Sequence, residues 1–145
     1  HGGTLYPRVR SVSMNCWLNS DGPFMGLNQY KVMRKIADMQ NPGTAGTWVV
    51  TDEREDRVNN GFFAVDMTGF IPRNLNNLHL VDVPASYHNG AGGVTFADGH
   101  SEIHRWLDPR TKPPIKTGQD LPLTAASPNN RDVIWLQERS TGPVR

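Results

Sequence analysis

The sequence predicts a single α+β domain, residues 1–145, built mainly of antiparallel strands with short helices and one long Pro-rich loop. Three observations carry that prediction. The chain has 14 Gly and 11 Pro, which suits a loop-rich β domain better than a helical bundle. Its β-branched and aromatic runs are short and bounded by turn residues. Only Tyr30 to Met39 places apolar residues at helical spacing, and a second short helix is read from an N-cap at Asp132. Four Trp, five Phe and three Tyr supply enough large apolar groups for one modest core, although mean hydropathy is only -0.54.

In chain order, residues 9–18 alternate and read as a strand, followed by a turn at Asn19-Ser20-Asp21-Gly22-Pro23. Tyr30 to Met39 places Val32, Met33, Ile36 and Met39 on one helical face, and Asn41-Pro42-Gly43 ends that helix. Thr47-Trp48-Val49-Val50-Thr51 reads as a buried strand. It runs into the acidic group Asp52-Glu53-Arg54-Glu55-Asp56. Asn59-Asn60-Gly61 is a turn, and Gly61 to Val65 and Leu78 to Val83 are further strand-like runs. Leu107 to Arg131 is rich in Pro, Lys and Asn and is expected to be extended and to serve as a subunit contact or a cover for a sheet edge. Asp132 is a candidate N-cap for a C-terminal helix.

The sharpest local signal is a C-terminal β-hairpin over residues 94–104. Asp98-Gly99 suits a two-residue type I′ turn, which needs φ > 0 at both central positions. That turn would set Ala97 opposite His100, Phe96 opposite Ser101, Thr95 opposite Glu102 and Val94 opposite Ile103. Val94, Phe96 and Ile103 would then share the core face, joined in the core by Trp48, Val50 and Phe63. Thr95, His100, Glu102 and His104 would share the other face.

Charge and cysteine content narrow the function. Fifteen Lys and Arg against 14 Asp and Glu leave a net charge of +1, without the basic clustering of a nucleic-acid binder. The lone Cys16 cannot form an internal disulfide and reads as a small buried hydrophobe. No apolar stretch reaches bilayer-spanning length, and the start at His1-Gly2-Gly3 reads as that of a processed product or of part of a longer chain.

His88 stands nine residues before Asp98-Gly99, and Phe96-Ala97-Asp98-Gly99-His100 follows the glycine-rich run Gly90-Ala91-Gly92-Gly93. This resembles the H-X9-DG domain of type IV pilin-like and pseudopilin-like proteins, with His88, Asp98, Gly99 and His100 as its motif residues. Arg10-Ser11-Val12-Ser13-Met14-Asn15, Thr47 to Glu53, Asn59 to Phe63 and Trp135 to Ser140 are similar to other segments of that family, in order. The resemblance implies a pilin-like globular domain and a non-enzymatic structural subunit of an extracellular pilus-like or type II secretion-like filament. Its partners would be copies of itself or related subunits and the secretion or pilus machinery. The family's N-terminal signal and membrane helix are missing here, so a membrane link would run only through such a helix, anchoring the chain before assembly at the cell surface.

Two metal readings accompany this. His100, Glu102 and His104 lie at i, i+2 and i+4, so a strand projects them to one side, a donor set suited to zinc. The ends of that set are about 13 Å apart, which favours a solvated face instead. Asp52, Glu53 and Asp98, with His88, offer oxygen-rich chemistry for calcium, which the resemblance also implies. Against it, Asp98 can simply accept turn hydrogen bonds, and His88 can pair with backbone or a carboxylate. No nucleophile-elbow or zincin motif is present, so an enzyme is not expected. The rival is an extracellular metal-dependent or carbohydrate-processing protein using His88, Asp98, His100, Glu102 and His104, or a sugar-binding module using Trp17, Trp48 or Trp106.

Overall fold

Trp48 and its neighbours form the middle of a five-stranded sheet whose two faces differ sharply in burial. The computed structural model describes residues 11–20, 28–58, 61–115, 121–122 and 124–144. The strands are β1 (Val12–Asn15), β2 (Trp48–Asp52), β3 (Phe62–Phe63), β4 (His79–Leu80), β5 (Ala91–Phe96), β6 (Ser101–Arg105) and β7 (Ala125–Ala126), with one helix, α1 (Arg131–Ser140). The main sheet has the order β3-β1-β2-β5-β6, and β4 pairs with β7 in a separate ribbon. All pairs are antiparallel except β1 with β3, so the main sheet is mixed. Three short 3-10 turns, at Ile36–Asp38, Leu75–Asn77 and Pro109–Thr111, complete the described elements.

Side-chain alternation decides what each face does. Trp48, Phe63, Val94 and Phe96 point to one side and pack with Cys16, Trp17, Tyr30, Val65, Met67, Trp106 and Leu136 of α1. Polar residues of β1 share this covered face because each is satisfied there. The Asn15 amide donates to Trp48 O and Ser140 O, both at 3.0 Å, and its Oδ1 accepts from Trp17 N. Ser13 donates to the Glu53 carboxylate. A second small cluster joins Leu78, Leu80, Val83 and Val133 beneath the β4–β7 ribbon.

Several elements differ from the sequence expectation. The expected helix over Tyr30 to Met39 is extended chain with a single 3-10 turn, and Ile36 is 70% exposed. Tyr30 and Met33 are buried, but each pairs its backbone with a distant segment: Tyr30 bridges Pro143 and Met33 bridges Leu18. A ten-residue helix is marginal without tertiary help, so these pairings win. Asp38 accepts from Arg34 N and Lys35 N and holds the remaining turn. The first strand is confined to Val12–Asn15, while Val9 and Arg10 lie outside the described residues. Asp21, Gly22 and Pro23 of the first expected turn, and Asn59 and Asn60 of the later one, also lie outside them.

The N-cap of α1 is Asn130, whose side chain accepts from Asp132 N and Val133 N. Asp132 lies inside the helix instead. Its carboxylate accepts from Leu107 N and Asp108 N at 2.9–3.0 Å, fixing the chain as it leaves β6. The Pro-rich segment is not wholly irregular, since it contains the Pro109–Thr111 turn and β7. Residues 116–120 and 123 of it lie outside the described residues.

Candidate functional site

The segment from His88 to His104 organises one end of the main sheet. Its connection is a three-residue loop, Ala97-Asp98-Gly99, rather than a two-residue turn. Phe96 N donates to His100 O at 2.9 Å and Gly99 N to Phe96 O at 3.0 Å, with Gly99 at φ 96°. A glycine in the left-handed region at the third loop position is the usual end of such a loop. The pairs are therefore Thr95–Ser101, Val94–Glu102, Gly93–Ile103, Gly92–His104 and Ala91–Arg105. Asp98 Oδ1 accepts from His100 N at 3.2 Å and lies 2.6 Å from its Nδ1, closing the loop.

That register is one residue away from the expected one, and a one-residue slip sends a whole strand's side chains to opposite faces. Ile103, expected in the core, is 64% exposed on the open side. His100, Glu102 and His104 share a face as expected, but it is the covered one and excludes Thr95. His100 stacks on Phe96 with ring centroids 4.3 Å apart, and His104 stacks on Trp135 of α1 at 3.8 Å. Arg139 covers the Trp135 ring as well, 4.7 Å from its centroid. Burial holds the His104 imidazole below its ordinary range, against the pull of Glu102. The hydrogen bond from His100 holds Asp98 below the usual carboxylate range.

His88 contributes mainly through its backbone, donating to Ala91 O at 3.1 Å and accepting from Ala91 N at 3.2 Å, while the residue itself is exposed. The glycines that follow allow close approach. A Cβ on Gly92 would lie 2.5 Å from Ala85 O, the carbonyl that also accepts from Trp106 Nε1 at 2.9 Å. Gly93 N donates to the Asp52 carboxylate at 3.0 Å, and a Cβ there would press on the same oxygen.

The candidate metal residues are thus held in separate arrangements. Asp52 receives Gly93, Glu53 is buried with Ser13, Asp98 pairs with His100, and Glu102 lies 3.7 Å from His104. Among the described residues, no three His, Cys, Asp or Glu side chains converge in a way that could hold an ion. Trp17, Trp48 and Trp106 are fully buried, so none of these rings is open to stack on a sugar. Cys16 is buried as expected, and burial pushes its thiol up to about 12.

Sequence reasoning missed the most distinctive surface, the open face of the main sheet. One cross-strand row runs Phe62–Met14–Val50–Thr95–Ser101, and beside it lie Val12–Asp52 and Gly93–Ile103. Val12 is 42%, Met14 37% and Phe62 37% exposed, while Val50 and Thr95 are half-buried. Val12, Val50, Asp52, Thr95, Ser101 and Ile103 line a shallow depression of about 270 Å³. Exposed apolar side chains grouped on one sheet face are a feature that interaction surfaces share. Its sequence signal is the alternation in β1, with the inward positions polar and the outward ones apolar. No family model, curated protein or solved structure matches this chain.

Proposed function

We propose that this chain is the pilin-like globular domain of a non-enzymatic structural subunit in an extracellular pilus-like or type II secretion-like filament. The observation that carries the proposal is the open sheet face, with Val12, Met14, Phe62 and Ile103 exposed on the side opposite α1. A filament subunit needs such a face, because burying apolar area against a neighbouring element is what drives stable association. The polar residues of the H-X9-DG segment support a structural role, since their hydrogen bonds close loops and hold the strand register. Burial of Trp17, Trp48 and Trp106 removes the support that a sugar-binding alternative drew from them.

In this reading the partners are copies of the chain or related subunits, and the site of action is the cell surface. Membrane attachment before assembly would use an apolar N-terminal helix. No helix among the described residues is long and apolar enough to cross a membrane. The precursor gene is the direct check. It is expected to encode, upstream of this domain, a prepilin-type cleavage site followed by about 20 predominantly apolar residues. A precursor with neither would overturn the filament reading.

A further inference from the structure

β6 is the longer edge of the main sheet, and its outer side carries no paired strand among the described residues. The opposite edge, β3, is only Phe62–Phe63, too short to template another chain. Hydrogen bonds from Phe96 N to His100 O and from Trp106 N to Gly90 O set the phase of the β5–β6 ladder. Antiparallel pairs alternate, so Val94–Glu102 and Gly92–His104 are the hydrogen-bonded pairs between them. Ser101, Ile103 and Arg105 therefore turn their N–H and C=O groups outward. Natural edges are commonly blunted by Pro, Lys or a bulge. β6 carries the charged Glu102 and Arg105 but neither Pro nor Lys, pairs with β5 in unbroken register, and presents Ile103 at 64% exposure.

We propose that β6 pairs antiparallel with β6 of a second copy of this chain, about a twofold axis through Ile103, joining two sheets into one. Side-chain chemistry selects both occupant and register. Centred on Ile103, the pairing sets Ile103 against Ile103 of the partner subunit, and Ser101 against Arg105 of the partner subunit. Glu102 then faces His104 of the partner subunit, in the non-hydrogen-bonded position where side chains approach most closely. Moving the register one step either way sets Glu102 against its own copy or His104 against its own copy, with like groups opposed. Only the central register uses every outward backbone group of β6 and sets the Glu102 carboxylate, an acceptor, against an imidazole that can donate to it. The contact is isologous and closes on itself, so it yields a dimer and not an open chain. It belongs to the domain alone and does not depend on the filament assignment.

The test is sedimentation equilibrium of the purified chain across a concentration series, with cross-linking to read the register. A reversible dimer is expected. Ile103→Lys opposes two cations, and Ile103→Pro removes an outward N–H while sparing the β5–β6 ladder, so either raises the dissociation constant at least about tenfold. Ile103→Cys is expected to oxidise to a covalent dimer, because directly paired Cα atoms lie about 5.5 Å apart, within disulfide reach. Ser101→Cys alone does not cross-link, being about 13 Å from its own copy, but a mixture with Arg105→Cys does. Buried Cys16 contributes no background. A chain that stays monomeric to about millimolar concentration, a dimer indifferent to Ile103→Lys, or equal cross-linking of Ile103→Cys and Ser101→Cys would each overturn the proposal.

Discussion

Trp48→Ala is expected to lower the unfolding free energy by about 3–5 kcal/mol, a large part of what a domain of this size holds. Trp48 is fully buried in the central strand, and its ring meets Phe63 edge-on at 5.7 Å. Its Nε1 donates to Ser140 Oγ at 2.9 Å, tying β2 to the last turn of α1. Ser140 Oγ also donates to Leu136 O at 2.7 Å, so the hydroxyl keeps a partner after the change. The loss is therefore chiefly cavity and packing rather than an orphaned polar group. Chemical denaturation with matched m-values measures it. Val50→Ala, on the open face, serves as the comparison and should cost about 1 kcal/mol or less. Equal losses at the two positions would mean that the covered face had been assigned to the wrong side of the sheet.

Gly92→Ala is the second large effect, expected at about 3 kcal/mol, the upper part of the range for overpacking. The added methyl would meet a backbone carbonyl, Ala85 O, at 2.5 Å, with the Trp106 indole 3.4 Å away. Neither neighbour is the free end of a flexible side chain. Gly99 provides the contrast. A Cβ there meets nothing within 4 Å, but the residue sits at φ 96°. Gly99→Ala should therefore cost about 1–2 kcal/mol through conformation alone. Thermal denaturation of the two variants gives the ordering. A larger loss at Gly99 than at Gly92 would contradict the close approach of β5 to Ala85.

Much of the sheet was legible because its strands announce themselves locally. β2 is β-branched and aromatic, β3 lies in the apolar run after Gly61, and β5 and β6 flank an Asp-Gly pair. The turn type was harder, because Asp-Gly fits both a two-residue turn and the end of a three-residue loop. The choice falls to tertiary contacts: Ala97 N donates to Thr47 O at 2.9 Å, and His104 finds Trp135. The consequence was large, since Ile103 moved from core to surface and His100, Glu102 and His104 moved to the side of the sheet that carries α1, where His104 packs on Trp135 while His100 and Glu102 stay exposed. The helix expected at Tyr30 to Met39 failed because periodicity cannot reveal that Tyr30 and Met33 have backbone partners near Pro143 and Leu18. The open face stayed hidden for a related reason. Val12 and Met14 look like core residues until Ser13 and Asn15 are seen to be buried through hydrogen bonds to Glu53, Trp48 and Ser140.

As a structural subunit, this domain is expected to have its open sheet face covered by its neighbours in an assembly. Cryo-electron microscopy of material from the native source tests it most directly. Filaments built of this chain are expected, with Met14, Val50 and Phe62 buried against an adjoining element and α1 on the far side of the sheet. Free particles, or filaments that leave the Met14–Val50 face bare, would contradict it.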